Sequence, residues 1–164
     1  TNGAVDGRNI GRQLVSDSVE KTNENATETD VADYIVTLLP LETKLGISFS
    51  VKMSAASSAT AKFYLEGANT GSNYDSFSAE TTALRTQGFS STTGITYGPE
   101  ESNYIVDIPT ELQGRLCRVR VTLQNNTDTS YIKNISIIST RTYGAAFSSK
   151  YSDTAPQLPS ELGG

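Results

Sequence analysis

The sequence predicts an all-β protein, folded as an antiparallel two-sheet β-sandwich with extended N- and C-terminal arms. Ser and Thr make up about a quarter of its residues, a composition that suits strands and the turns between them. Apolar residues alternate with small or polar ones over 45–53 and again over 117–123, which is the period of a strand with one buried face. A buried sheet face needs a second sheet to cover it, and this requirement indicates a sandwich.

The clearest alternation lies in the stretch 45–53, where every second residue is apolar. Its apolar set is Leu45, Ile47, Phe49, Val51 and Met53. The intervening residues, Ser50 among them, are expected to face solvent. Small polar residues predict a turn at 54–58, and Ala61, Phe63 and Leu65 alternate again after it. We therefore expect a β-hairpin over 45–65, around which the rest of the body packs.

Further strands are indicated by apolar runs that end at proline or at turn residues. Four such runs are 33–39, 102–108, 116–123 and 131–139. Weaker patterns at 80–88 and 93–97 predict two short strands, because a long structureless loop is uncommon in a compact domain. The single cysteine, Cys117, follows the alternation of a strand and is expected to be a buried apolar residue.

The chain is expected to hold one β-sandwich domain over 31–140, between an N-terminal arm over 1–30 and a C-terminal arm over 141–164. Both arms are polar, and their few apolar residues are too widely spaced for a core element. Ordering such arms costs roughly 1–2 kcal/mol per residue in backbone entropy, so partner contacts are needed. The expected anchors are Leu14 and Val15 in the N-terminal arm and Phe147, Tyr151, Leu158 and Leu162 in the C-terminal arm.

Composition excludes several classes of function. The chain has no histidine and one cysteine, which removes histidine-activated nucleophiles, histidine metal sites and multi-thiolate zinc sites. The net charge of −5 and the scattered basic residues disfavour nucleic acid as a partner. No apolar run reaches the about 18 residues of a membrane-spanning helix. We expect a protein that is not an enzyme, holds no cofactor or metal, and binds neither nucleic acid nor membrane.

Acidic residues and asparagines offer two further kinds of site. A carboxylate pair is the machinery of glycoside hydrolysis, and converging oxygen ligands hold calcium. The candidates are Glu66, Asn69, Asn73, Asp75, Glu100, Glu101 and Asp107. Their spacing does not match an EF-hand loop, and exposed acids in the loops of an acidic protein are most simply solvated surface. Neither kind of site is therefore predicted.

The order of the strands resembles that of the galactose-binding-like jelly rolls. The resemblance lies in the succession 45–52, 60–66, 115–123 and 131–137 and covers roughly 31–139. It implies a jelly-roll sandwich, a fold that occurs in carbohydrate-binding modules and in bacteriophage virion proteins. Lys133 and Asn134 stand where the last strand of the family usually carries acids, which argues against the structural calcium site that is frequent in it.

Two functions agree with these features. The first is a virion structural protein, most specifically a phage capsid decoration (cement) protein or another head or tail component. Its arms would bind protein partners, either the major capsid or other virion subunits or sister copies in a homo-oligomer. The alternative is an extracellular carbohydrate-binding module, in which Tyr64, Tyr74 and Tyr97 would serve as sugar platforms. Tyr64 is the first of these candidates, because Phe63 and Leu65 face the core and Tyr64 should face outward.

Overall fold

The computed structural model describes residues 9–69, 76–97, 102–125 and 129–142. Within these residues the chain forms nine strands and one short 3-10 helix, Thr110–Leu112. The strands are β1 (Asn9–Asp17), β2 (Lys21–Asn23), β3 (Thr29–Thr37), β4 (Glu42–Met53), β5 (Ser57–Gly67), β6 (Arg85–Ser91), β7 (Ser102–Asp107), β8 (Leu116–Asn125) and β9 (Ser130–Thr142).

The strands form two antiparallel sheets that enclose one core. Sheet A has the order β1-β9-β4-β7, and the short β2 also pairs with β9. Sheet B has the order β3-β8-β5-β6. From β3 onward, every described connection except β5–β6 crosses from one sheet to the other, which is the path of a jelly roll. The predicted all-β two-sheet sandwich is confirmed.

The central prediction of a hairpin over 45–65 is wrong. In the structure β4 pairs with β7 and β9 in sheet A, whereas β5 pairs with β6 and β8 in sheet B. The two strands therefore face each other across the core instead of lying side by side. Alternation fixes which face of a strand is buried, but it does not say which strand lies beside it, and an arch between sheets leaves the same pattern as a hairpin.

The buried faces themselves agree with the alternation. The apolar set of β4 is at most 4% exposed, as is the set Cys117, Val119, Val121 and Leu123 of β8. The Phe49 ring lies 5.1 Å from the Phe63 ring across the core and meets Phe89 edge-on at 5.8 Å. Burial raises the pKa of the Cys117 thiol to about 11, so that this side chain is a small apolar core residue, as expected.

Ser50 departs from the expected exposure. It is 2% exposed, although the alternation of β4 predicts that it faces solvent. The alternation itself is intact, since Phe49 and Val51 on either side of Ser50 face the core. In the pairing of β4 with β9, Ser48 lies opposite Ser136 and Ser50 lies opposite Lys133, so β9 carries one extra residue there, a β-bulge. Alternation predicts the face on which Ser50 lies, but it does not reveal that this face is covered.

The N-terminal boundary of the domain lies earlier than predicted, because most of the expected N-terminal arm forms strands of the two sheets. Strand β1 pairs along its length with β9, β2 pairs with the same strand, and β3 begins at Thr29. Residues 9–30 therefore belong to the body. The pattern was too sparse to indicate this, because an edge strand buries one face only and needs few large apolar side chains. Of the two weakly predicted short strands, 80–88 overlaps β6 only over 85–88, and 93–97 supplies only an isolated bridge from Ile95 to Met53.

Candidate functional site

An apolar rim lies along β3 and the turn that joins it to β4. We define this apolar rim as Ile35, Leu39 and Leu41, whose side chains are 60%, 37% and 63% exposed. Val36 and Leu38 alternate with the first two and point into the core, at 5% and 1% exposure. The alternation that fills the core from β3 thus presents Ile35 and Leu39 to solvent on the opposite side.

The turn that carries Leu39 and Leu41 has an unusual backbone. The amide N–H of Glu42 donates to the carbonyl of Leu39 at 3.2 Å and closes the turn. Pro40 occupies its second position, and Leu41, at the third, has a φ of 75°. Proline followed by a residue of positive φ is the arrangement of a type II turn, whose third position is usually glycine. A leucine there costs roughly 1–2 kcal/mol relative to an unstrained conformation, so the exposed Leu41 side chain is held at an energetic cost.

A buried ion pair supports this turn from below. Glu42 is 2% exposed, and its Oε1 accepts a hydrogen bond from the Leu39 amide at 2.7 Å. Arg12 reaches the same carboxylate with two donors, from Nε to Oε2 at 2.9 Å and from Nη2 to Oε1 at 2.8 Å. The Ser139 hydroxyl donates to Oε2 at 2.7 Å. Burial alone would raise the pKa of Glu42, but the hydrogen bonds from Arg12, Leu39 and Ser139 lower it to about 2.

The turn is also fastened to sheet B. The Leu38 amide donates to the carbonyl of Arg115 at 2.9 Å. Gly114 has a φ of 74°, and a side chain at this position would meet Pro40 at 3.4 Å. The backbone of the turn is therefore held by hydrogen bonds at Leu38, Leu39 and Glu42.

Acidification is expected to destabilise the body through two carboxylates. Glu42 has a pKa of about 2, and Asp17, bound by Lys21, by the Tyr34 hydroxyl and by the Val19 amide, also has a pKa of about 2. In the unfolded chain both take up protons near pH 4. Their contribution is therefore complete above about pH 5 and is lost as the pH falls toward 2. Urea unfolding at pH 7, 4 and 2.5 should show a steady fall in the free energy of unfolding. A flatter dependence is expected for Glu42→Gln, and equal stability at pH 7 and 2.5 would contradict this account.

The two anchors predicted in the N-terminal arm belong to the core. Val15 is 6% exposed and lies in the main hydrophobic cluster, and Leu14 packs against that cluster. Both therefore contribute to the body. Val15 is too buried to bind a neighbouring subunit, which corrects the prediction for this residue, whereas Leu14 is partly buried. The C-terminal anchors Phe147, Tyr151, Leu158 and Leu162, and Tyr74, lie outside the described residues.

Tyr64 lies on the outer face of sheet B but is covered. It is 5% exposed, its hydroxyl donates to Glu28 at 2.6 Å, and the Arg120 guanidinium lies 4.1 Å from its ring centroid. Burial and the hydrogen bond to Glu28 raise the pKa of Tyr64 to about 12. The expected outward direction is correct, but a covered ring cannot serve as a platform for sugar stacking.

Beside Tyr64 lies a buried cluster of charges centred on Glu66. The Glu66 carboxylate is 0% exposed and accepts hydrogen bonds from Arg118 Nε at 2.8 Å and Arg120 Nε at 2.9 Å. The Glu80 amide donates to it at 3.2 Å, and Arg120 also pairs with Asp30 at 3.1 Å. Burial would raise the pKa of Glu66, but hydrogen bonds from Arg118, the Glu80 amide and Arg120 lower it. The carboxylate binds both arginines of β8 and thereby ties β5 to β8.

One feature of the sequence indicates this cluster, namely the two arginines that alternate on one face of β8. Arg118 and Arg120 alternate outward on β8, and Glu66 lies directly opposite Arg118 in the register of β5 and β8. Oppositely charged residues across neighbouring strands attract each other. The alternation predicts β4 as the neighbour of β5. The charge pair between β5 and β8 is therefore not expected from the sequence pattern.

Tyr97 is held against the outer face of sheet A by charged side chains. Its hydroxyl donates to Glu20 at 3.0 Å, and the ammonium groups of Lys133 and Lys52 lie 4.1 and 5.5 Å from its ring centroid. Burial and the Glu20 carboxylate raise the pKa of Tyr97. Next to it a groove of about 380 Å³ is lined by Lys52, Met53, Ser54, Ile95, Thr96, Thr129 and Tyr131. Tyr131, which sequence reasoning did not single out, lies 4.3 Å beneath the Lys52 ammonium group.

Two classes of site are not found in the part of the chain that the structure describes. No three side chains of Asp, Glu, Cys or His are grouped there so that they could hold a metal ion. None of the described segments is a helix of the length and apolar character needed to span a bilayer.

No family model matches the chain, and no curated protein matches it. The chain has a distant similarity to several solved structures. A VP2 capsid protein of infectious bursal disease virus, as T=1 particles of a D431N mutant, has a TM-score of 0.46 and 15% identity over 84% of this chain and 32% of that one. The VP2 subviral particle gives 0.44 and 16% over 84% and 33%. This chain thus spans about a third of the length of these capsid proteins.

Two further neighbours come from bacteria. The K3 adhesin domain of Lys-gingipain from Porphyromonas gingivalis has a TM-score of 0.40 and 12% identity over 77% of this chain and 99% of that one. The CBM22-1–GH10 modules of xylanase 10B from Clostridium thermocellum give 0.39 and 9% over 77% and 28%. Structural roles and binding roles are both compatible with such a sandwich. At these TM-scores the likeness assigns neither role, which must be inferred from the chain's own surface.

Proposed function

We propose that the protein is a non-enzymatic structural protein of a virion that binds neighbouring protein subunits. One observation carries the proposal. The large apolar side chains that the described residues leave exposed are all aliphatic, namely Val19, Ile35, Leu39, Leu41 and Ile105. Sugar-binding sites present aromatic ring faces, whereas exposed aliphatic side chains on a rigid scaffold suit a protein partner.

The state of the titratable groups supports a role without catalysis. Ion pairs and hydrogen bonds lower the pKa values of the shifted carboxylates, as at Glu42 and Glu66. The Cys117 thiol has its pKa raised by burial. A general acid or base works best with a pKa near the working pH, and these shifts lead away from it. They are what is expected of side chains that hold a body together.

The more specific form of the proposal is a capsid decoration (cement) protein or another head or tail component of a phage. The body supplies a rigid sandwich with an exposed apolar rim. Residues 143–164 follow the last strand and contain Phe147, Tyr151, Leu158 and Leu162. These side chains would anchor the protein on the major capsid protein, on other virion subunits or on sister copies.

Co-sedimentation with particles tests this proposal. A lysate of the cells that make the protein is separated on a density gradient, and the protein is quantified in each fraction by antibody. We expect it in the particle fractions at many copies per particle, released by mild chaotrope without loss of the particles. A protein that remains at the top of the gradient while intact particles lack it would overturn the proposal.

A second candidate function, carbohydrate binding, is favoured by the groove beside Tyr97. The groove has a volume of about 380 Å³, which is enough for a small sugar. The Tyr131 ring could stack on the sugar, and Lys52, Thr96 and Thr129 could form hydrogen bonds with it. Electrophoresis through gels that contain dissolved polysaccharides separates the two functions. Retardation that is lost in Tyr131→Ala and kept in Tyr34→Phe would favour the carbohydrate function, and unchanged mobility is expected for a virion protein.

A further inference from the structure

The last described strand ends beside the apolar rim. In the register of sheet A, Arg141 of β9 lies opposite Glu42 of β4. Glu42 is the fourth residue of the turn that carries Leu39 and Leu41. Strand β9 therefore ends next to the rim, at the same end of the sandwich.

The spacing of apolar residues in the C-terminal segment, residues 143–164, matches that of the rim. Phe147 and Tyr151 are four residues apart in the sequence. Ile35 and Leu39 are also four residues apart, and both face solvent. In extended chains, residues four apart share a face and lie about 13 Å from each other. An extended segment laid along β3 would therefore set its two aromatic rings against the two exposed aliphatic side chains.

The direction of the strands decides whose segment occupies the rim. Strand β9 is antiparallel to β4 and runs toward the turn. Ile35 lies back along β3, which runs toward the same turn. A chain's own segment would have to reverse its course to lie along β3. The segment of a second copy, facing this end of the sandwich, would reach β3 in an antiparallel direction without reversal.

We propose that residues 143–164 of a second copy of this chain dock on the apolar rim. The inference rests on the proposed function and names the partner and the receiving surface. Because β9 ends beside the rim on each body, two copies can exchange their C-terminal segments about one two-fold axis and close as a dimer. The strained conformation of Leu41 agrees with this role, since glycine would form the same turn without strain but would present no side chain.

A complementation experiment tests the exchange with two full-length variants. The rim variant, Leu39→Ser with Leu41→Gly, keeps the segment but loses two of the three receiving side chains. The segment variant, Phe147→Ser with Tyr151→Ser, keeps the rim. By sedimentation equilibrium the wild-type chain should be a dimer. The dissociation constant of the dimer should be at least about tenfold higher for each variant alone, which corresponds to a loss of about 1.4 kcal/mol or more of binding free energy. An equimolar mixture should form a mixed dimer, because one of its two exchanged contacts is intact.

Controls separate this inference from loss of folding and from failure of the proposed function. Thr86→Ala changes an exposed side chain of β6, the edge strand of sheet B opposite to β3, and should leave the dimer intact. The melting temperature of the rim variant should stay close to that of the wild type, since Leu41→Gly relieves strain. A wild-type chain that is monomeric, variants that still dimerise, or a mixture that stays monomeric would each overturn the exchange. Co-sedimentation with particles reports on the virion role independently of these outcomes.

Discussion

Val51→Asp is expected to unfold the body. Val51 lies on the core face of β4, is 3% exposed and belongs to the main hydrophobic cluster. A carboxylate placed there without a partner costs several kcal/mol, or else takes up a proton at a similar cost. The loss of the valine contacts adds to this cost. A domain of this size has about 5–15 kcal/mol of stability, so the variant should show little or no cooperative melting by circular dichroism.

The matched control for this substitution is Ile105→Asp. Ile105 is also β-branched and lies in β7, next to β4 in the same sheet, but its side chain is 74% exposed. The change should cost about 0.5 kcal/mol or less, as is usual for surface positions. Ser50→Asp is not a suitable control, because Ser50 is 2% exposed. If the variants at Val51 and Ile105 were equally stable, the assignment of the faces of sheet A would be wrong.

Glu66→Gln should produce the second largest loss of stability. The substitution keeps the shape of the side chain but leaves Arg118 and Arg120 without the carboxylate that both of them bind. Removal of one partner from a buried ion pair costs about 3–5 kcal/mol. The lower end of this range applies, because the arginine side chains are 26% and 18% exposed and water can replace part of the interaction. Unfolding in guanidinium chloride measures the change.

Asp30→Asn is the corresponding change at the exposed end of the same cluster. Asp30 pairs with Arg120 at 3.1 Å, but its side chain is 55% exposed. An exposed ion pair contributes about 0–1 kcal/mol, so the amide substitution should be nearly neutral. If Asp30→Asn cost as much as Glu66→Gln, the cluster would not depend on the buried carboxylate.

The sequence predicts correctly which face of a strand is buried, because this property depends on the residues of that strand alone. Alternation identified the buried faces at Phe49, Val51 and Cys117, because burial of an apolar side chain depends on the face it lies on. The neighbour of a strand is a property of two distant segments. The alternation therefore does not predict which strands pair or in which register. It predicts a hairpin of β4 and β5, where the structure has an arch between the two sheets.

The candidate site shows the same division. Pro40 predicted an end of β3 after Leu39, and the strand ends two residues earlier, at Thr37. Nothing in the sequence indicates that Leu41 adopts a positive φ, since leucine is unfavourable there. The buried partner of the turn, Glu42, would be expected on the surface from its charge. Tyr64 was predicted to face outward, and it does, but the covering contacts of Glu28 and Arg120 come from distant positions in the chain.

The measurement that tests the central claim most directly compares the solution mass of the full chain with that of a chain ending at Tyr143. The last described strand ends at Thr142, so the shortened chain keeps every strand that the structure describes. It loses the four C-terminal anchors, each of which contributes ~1.5–3 kcal/mol when fully buried. Light scattering should give an oligomer for the full chain and a monomer for the shortened one, with the same β-type circular dichroism and cooperative melting for both. A full chain that is monomeric at every concentration, or a shortened chain that assembles equally well, would contradict the account.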